Sequence, residues 1–171
     1  MEKWLLAAAL ILSAFTSAAT AQSKKSLVGA WKLVSVTDTT DKGEVKRFWG
    51  EHPTGLLTYT LDGRVSVVMV VSMEEKPLSL SLPTPDGDLT LALAPFMAYE
   101  GSYTFIGDKV THHIETCPFR VLVNTDQVRS VTLQGDRLTL RQGPHADWHV
   151  PEPIAYSDYV WERIKQKATK K

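Results

Sequence analysis

The sequence contains few of the residues and motifs that would identify a reaction. Its 171 residues include one cysteine, Cys117, which has no partner within the chain for a disulfide bond. A lone cysteine is either a small buried apolar residue or a reactive thiol. Lys plus Arg and Asp plus Glu both number 19, and no basic stripe interrupts this balance, so nucleic acid is not expected as a partner.

Motifs for common chemistries are also missing. The sequence has no H-E-x-x-H, C-x-x-C, G-x-S-x-G or phosphate-loop motif, so serine catalysis, dinucleotide chemistry and bound cofactors are not expected. The spacing of His145 and His149 suits metal binding on a helix, but Pro144 and Pro151 frame this stretch as a loop. We therefore expect no metal site.

Long hydrophobic runs are absent as well. The longest lies between Leu5 and Ala14 and is too short to span a bilayer, so no stable membrane insertion is expected. It precedes Ala19-Thr20-Ala21, which has the A-x-A form that signal peptidase recognises. Residues 1–21 are therefore predicted to be a signal peptide cleaved after Ala21, which implies a periplasmic or secreted protein.

The mature chain consists largely of short β-rich runs joined by tight turns. Asp62-Gly63, Gly107-Asp108 and Gly135-Asp136 each separate two such runs, and turns of this composition favour β-hairpins. With a further strand near each end, about eight to ten strands are predicted. The pattern is typical of an all-β protein, either a sandwich or a single antiparallel up-and-down barrel.

One long segment interrupts the strands. Residues 72–100 contain four prolines, Pro77, Pro83, Pro85 and Pro95. Since long loops without regular structure are uncommon in compact domains, this segment is predicted to be a functional or lid-like insertion, with a short helix near Asp88–Tyr99. Residues 143–153 are predicted to form a second, proline-bounded loop.

Hairpin pairing assigns side chains to faces, because successive side chains alternate along a strand. Around Gly107-Asp108, Tyr103 lies opposite His112, and both share an apolar face with Phe105. His113 lies on the other face. The adjacent histidines are therefore not expected to bind one metal ion together.

The Gly135-Asp136 hairpin places a charge on an otherwise apolar face. Gln127 and Arg129 share this face with Val131 and Leu133. A lone arginine in a dry core is costly, so Arg129 requires a carboxylate partner, a water-filled cavity or an anionic ligand. The predicted ligand-binding residues are Tyr103, His112, Arg129, Phe105 and Gln127.

The Asp62-Gly63 hairpin is less informative. A two-residue turn places Thr60 opposite Val65 and Tyr59 opposite Ser66, but both faces then mix apolar and polar residues. This pairing leaves the direction of Tyr59 open.

Several motifs occur in a specific order. Gly29-Ala30-Trp31 is a G-x-W motif, and PTGLLTYTLDGR, AYEGSYTF, VTHHIE, QVRSVTLQGDRLTL and WER follow it. This ordered set resembles the bacterial and fungal lipocalin-like domain family over residues 27–164. The resemblance implies an antiparallel barrel closed around a cavity, without implying a ligand. Residues 22–26 are then a short N-terminal segment and residues 165–171 a disordered tail.

Three residues are expected to fill and close one end of the barrel. Trp31 and Trp161 are predicted to pack inside as a structural plug. Arg163 shares a strand face with Trp161 and, as its counterpart does in many lipocalin-like proteins, is expected to cap the barrel end near Trp31.

Three functions are consistent with these observations. The first is the binding of a small hydrophobic or amphipathic molecule whose polar or anionic end lies at Tyr103, His112 and Arg129. The second is a barrel enzyme, an isomerase or cyclase, that acts on an enolisable substrate through the Tyr103–His112 pair. The third is a periplasmic interaction or inhibitor protein that acts through residues 72–100 or 143–153.

The signal peptide is testable by itself. When the full chain is expressed in a bacterial host, the exported protein should begin at Gln22, because the A-x-A site places cleavage after Ala21. Intact-mass measurement of the periplasmic fraction determines the first residue. An Ala19→Arg variant, which removes the small side chain that the peptidase requires, serves as the uncleaved control. Recovery of native protein that retains Met1 in that fraction would contradict the prediction.

Overall fold

The structure, a computed structural model, describes residues 23–72, 78–93, 96–145 and 152–165. A short helix, α1 (Lys24–Leu27), precedes the strands, and a 3₁₀ turn spans Arg120–Leu122. The strands are β1 (Gly29–Thr40), β2 (Val45–Lys46), β3 (Thr54–Tyr59), β4 (Arg64–Val70), β5 (Leu78–Thr84), β6 (Gly87–Leu93), β7 (Phe96–Ile106), β8 (Lys109–Thr116), β9 (Asp126–Gln134), β10 (Arg137–Gln142) and β11 (Ile154–Arg163). The predicted signal peptide and nearly all of the predicted tail lie outside the described residues.

Eight of these strands form a closed antiparallel barrel. Their order around the barrel is β1, β3, β4, β7, β8, β9, β10 and β11, and β11 pairs with β1 to complete the circle. Strand β2 adds a two-residue pairing to β1. Closure satisfies the backbone groups that an open sheet would leave at its edges. The prediction of an all-β, up-and-down barrel is confirmed.

Two hairpins have the predicted register. Tyr103 lies opposite His112 across the β7–β8 turn, and both side chains are buried. Arg129 lies opposite Gln142 in the β9–β10 pair. Counting outward from a Gly-Asp turn was therefore sufficient to assign inward and outward faces on four strands.

The β3–β4 hairpin differs from its predicted register by one residue. Tyr59 lies opposite Val65 rather than Ser66, because the loop comprises residues 61–63 instead of two residues. Gly63 has a φ of 95°, and glycine in such a conformation is what closes a three-residue hairpin loop. As a result Tyr59 points into the barrel, where it is 1% exposed.

The insertion between β4 and β7 is a hairpin. Strands β5 and β6 pair with each other in a sheet separate from the barrel, and β7 begins at Phe96. The short helix expected near Asp88–Tyr99 is therefore wrong. Leucine occupies every second position in LSLSL and LTLAL, and this period of two favours strands over a helix.

One end of the barrel, here called the closed end, is filled by side chains. Trp31 is fully buried, and its indole N–H donates to the carbonyl oxygen of Leu27, 2.9 Å away. The guanidinium of Arg163 lies 4.0 Å from the centre of the Trp31 ring and donates to the carbonyl oxygens of Ser26 and Val28. These contacts attach α1 across the barrel end and combine cation–π attraction with backbone hydrogen bonds.

A glycine allows β7 and β8 to approach each other closely. The register of this pair shifts between Glu100 and Gly101. A Cβ atom on Gly101 would overlap the carbonyl oxygen of His113, which belongs to the backbone and has no free rotation. The absence of a side chain at Gly101 therefore allows β7 to lie this close to the part of β8 that carries His112.

Substitution of Gly101 by alanine should destabilise the fold. The new methyl group forces the two backbones apart, and overpacking of this kind costs about 1–3 kcal/mol. Urea denaturation measures the loss in free energy of unfolding. Gly143→Ala is the matched control, since a Cβ at Gly143 meets no atom within 4 Å of the described residues. Equal stability of the two variants would contradict the structural role assigned to Gly101.

Candidate functional site

A cavity lies inside the barrel toward the end opposite α1, here called the open end. Its volume is about 150 Å³. Strand β4 ends and β7 begins at this end of the barrel, where Met69 lies opposite Met97. The apolar part of the lining consists of Trp49, Met69, Met97, Ile114 and Leu122. The remaining lining side chains are Tyr99, Gln127, Arg129, Gln142, His145 and Tyr159. The cavity thus has a mostly apolar wall with a few convergent polar groups, as ligand sites commonly do.

Arg129 carries the charge of this cavity. Strand β9 points its side chain inward, and it is 8% exposed. Its Nη1 lies 3.1 Å from the carbonyl oxygen of Gln127 and 3.3 Å from Nδ1 of His112, and the guanidinium lies 6.0 Å from the Tyr159 ring centre. Within the described ranges no carboxylate lies within 4.0 Å of it. A positive charge is therefore held at the inner end of the cavity without an acidic partner from those residues.

His112 lies behind Arg129 and is held at both ring nitrogens. The hydroxyl of Tyr59 is 2.6 Å from Nε2, and that of Tyr99 is 2.7 Å from Nδ1. Arginine only donates hydrogen bonds, so its approach to Nδ1 requires that nitrogen to be the acceptor. We accordingly assign the proton to Nε2, from which it is donated to the oxygen of Tyr59.

His112, Tyr59 and Tyr99 are all uncharged at neutral pH. Burial, with the nearby Arg129 charge as a smaller cause, holds the pKa of His112 well below its ordinary value of 6.5. Burial also raises the pKa of Tyr59 and Tyr99 above their ordinary value of 10.0. The imidazole and both phenols therefore act as hydrogen-bonding groups, while Arg129 supplies the charge.

The structure places only two of the five predicted ligand-binding residues in the cavity wall. Gln127 and Arg129 line it, whereas His112 lies behind them. Tyr103 lies nearer the closed end, and its hydroxyl donates to the carbonyl oxygen of Thr60, 3.0 Å away. Phe105 packs against the core two residue pairs closer to the turn. The partners of His112 are thus Tyr59 and Tyr99 in place of Tyr103.

Both tyrosines that sequence reasoning missed had a detectable signal. Tyr99 is four residues before Tyr103, so it belongs to the same inward face of β7. Tyr59 becomes inward once the loop before β4 is read as three residues ending in glycine. The required information was in the alternation of side chains along β7 and in the length of the β3–β4 turn, and no motif contained it.

A second polar group lies at the open end. The hydroxyl of Ser157 donates to Oδ1 of the buried Asp38, and its oxygen is 3.4 Å from Nε2 of the cavity-lining His145. Asp38 and Ser157 are opposed residues of β1 and β11. This contact joins the two strands that close the barrel and connects them to the cavity rim.

The remaining sequence candidates are resolved as follows. Cys117 follows β8 and is half-buried, and its Sγ accepts a 3.4 Å hydrogen bond from the backbone N–H of Phe119. His149 lies outside the described residues. Among the residues that are described, no three His, Cys, Asp or Glu side chains are grouped as metal ligands. Of the helices described, none combines the length and the hydropathy needed to cross a bilayer.

Stability should depend on pH through His112. Its pKa is lowered by folding, so below pH 6.5 the unfolded chain takes up a proton that the folded protein excludes. The free energy of unfolding should therefore be unaffected by His112 above pH 6.5. It should fall by up to about 1.4 kcal/mol per pH unit as the pH decreases below 6.5. Urea denaturation between pH 7 and pH 5 measures the slope. His112→Gln should remove most of this slope, while the exposed-site control His52→Gln should retain it. An unchanged slope in His112→Gln would contradict the assignment.

Comparison with known proteins agrees with this architecture. A model of the lipocalin-like domain family matches residues 28–164, which extend from just before β1 to just after β11. No curated protein shows significant sequence similarity to the chain. A lipocalin-like barrel with an internal cavity is suited in general to holding a small molecule. The chain belongs to the lipocalin-like domain family.

Proposed function

We propose that this protein is a periplasmic or secreted binding protein that holds a small, largely apolar molecule in the barrel, with a polar or anionic end at Arg129. The observation that carries the proposal is the position of Arg129. Its charged group lies 8% exposed at the inner end of an apolar cavity, with no carboxylate partner among the described residues.

The electrostatics of Arg129 favour an anionic ligand group. Burying a charge without an opposite charge is costly, and the neutral His112 and Gln127 carbonyl offset this cost only in part. A ligand anion would supply the missing charge. A hydrogen bond to a charged group contributes about 1.5–3 kcal/mol, which corresponds to about 10- to 150-fold in Kd.

The remainder of the wall favours an apolar ligand body. Met69 and Met97 face each other across β4 and β7, and both line the cavity. Methionine side chains are flexible and polarisable, so they adapt to ligands of different shape. A volume of about 150 Å³ matches a body about the size of one six-membered ring, as in engineered cavities of this volume that bind benzene.

The two other functions have less support. An acid–base enzyme needs a group that can exchange a proton with the substrate, but both nitrogens of His112 are engaged by tyrosines and the ring lies behind the cavity wall. A loop-mediated inhibitor predicts a filled barrel, whereas this cavity is lined by residues from several strands. Binding accounts for both the cavity and the charge.

The proposed location rests on the N-terminal sequence. Residues 1–21 combine an apolar run with an A-x-A site, as secretory signal peptides do.

Binding can be measured with benzoate as the probe, because its single ring matches the volume of the cavity and its carboxylate can pair with Arg129. The native protein should bind it, and Arg129→Ala should weaken binding by at least about tenfold, because the charged hydrogen bond is lost. Isothermal titration calorimetry gives the two Kd values. Arg137→Ala, which removes an exposed arginine of β10, is the matched control and should bind like the native protein. Thermal denaturation verifies that each variant is folded.

Two results would contradict the proposal. One is the absence of any binding by the folded native protein, together with no small molecule detected by mass spectrometry in protein extracted from its host. The other is equal affinity of the native protein and a folded Arg129→Ala variant.

A further inference from the structure

A buried donor lies next to the charge of the cavity. The indole Nε1–H of Trp161 has no hydrogen-bond acceptor within the described part of the chain, although Trp161 is only 2% exposed. Buried polar groups are almost always paired, so each exception requires an explanation. Trp31, at the adjacent closed end, shows the usual situation, since its own indole N–H donates to Leu27.

Trp161 lines a small void that adjoins the main cavity. This void has a volume of about 10 Å³, and its wall includes Trp161, His112 and Arg129. Tyr99 and Arg129, together with Met69 and Tyr159, belong to the linings of both spaces. The void therefore adjoins the inner end of the cavity, and its volume is about that needed for a single oxygen atom or water molecule.

Two side chains in the wall of this inner void can only donate hydrogen bonds. Trp161 and Arg129 offer N–H donors, and neither side chain has an acceptor. The ring nitrogens of His112 are already engaged by Tyr59 and Tyr99. The wall also includes Tyr159 and Tyr99, whose hydroxyl is engaged by His112, while the other lining side chains, such as Leu57 and Leu140, are apolar. The group that complements two donors and a positive charge is a small anionic oxygen acceptor.

We infer that the inner void is a carboxylate subsite, in which one carboxylate oxygen of the ligand accepts from Trp161 Nε1–H while the group lies against the Arg129 guanidinium. This inference rests on the proposed binding function and names its ligand class, a monocarboxylic acid with an apolar body. An alcohol lacks the charge. The three terminal oxygens of a sulfate or phosphate ester form a bulkier group than a planar carboxylate, so it fits less well where the void beside Trp161 holds about one oxygen atom.

Binding of octanoate tests the subsite, with 1-octanol and octyl sulfate as matched probes. Isothermal titration of the native protein should give a Kd for octanoate at least about tenfold lower than for either control, because only octanoate pairs with both donors. Trp161→Phe should raise the Kd for octanoate about tenfold and leave the Kd for 1-octanol within about twofold.

A second measurement does not depend on the variant. In the ¹H–¹⁵N spectrum of the native protein, the indole N–H resonance of Trp161 should move downfield on addition of octanoate but not of 1-octanol. The indole resonance of Trp31, whose partner is the backbone of Leu27, is the internal control and should stay in place.

The outcomes separate this inference from the proposed function. Equal binding of octanoate and 1-octanol, or an unmoved Trp161 resonance with octanoate bound, would overturn the carboxylate subsite while leaving a small-molecule site intact. An unmoved resonance with unchanged octanoate affinity in Trp161→Phe would assign the indole N–H to a buried water and overturn the inference. If none of the three probes binds the folded native protein, the proposed function fails as well.

Discussion

The interior of this barrel depends on one buried histidine that is hydrogen-bonded on both sides. Tyr59 comes from β3 and Tyr99 from β7, and each reaches a different nitrogen of His112 on β8. Since a buried polar ring is tolerated only when both nitrogens are paired, this arrangement fixes the relative positions of three strands. It also orients the ring so that Nδ1 faces Arg129. The position of the cavity charge therefore follows from the hydrogen bonds that His112 makes.

Two side chains that only donate hydrogen bonds, Arg129 and Trp161, line the inner void beside the cavity. Hydrogen-bond donors converge there from Arg129 and Trp161, while His112 stays neutral because burial and the arginine charge disfavour its protonation. A site built this way discriminates by the cost of leaving donors unpaired, and this kind of discrimination is stronger than that of an apolar pocket alone. The aromatic and methionine side chains nearer the open end can then be permissive about shape.

Much of this architecture could be predicted from the sequence, and the errors have identifiable causes. Gly107-Asp108 and Gly135-Asp136 determined the faces of Tyr103, His112 and Arg129, because a turn of known length fixes the register of its strands. Tyr59 was not assigned, since a three-residue loop changes the parity of the count by one. Turn length and side-chain alternation indicate that Tyr59 and Tyr99 point inward, but they do not indicate that both reach His112, because β3 and β8 are not neighbours in the sheet.

The pairing of β1 with β11 has a consequence for how the site is made. Trp31 lies opposite Arg163, and the backbone N–H of Ile164 donates to the carbonyl oxygen of Ala30, so the closing contacts join the two ends of the domain. Contacts between residues so distant in sequence form only when the chain between them has been brought together, at a cost in loop-closure entropy. Trp161 belongs to this last strand. The donor at the inner end of the cavity is therefore positioned only when the whole domain has been assembled, and a fragment that lacks β11 would contain Arg129 without its neighbouring indole.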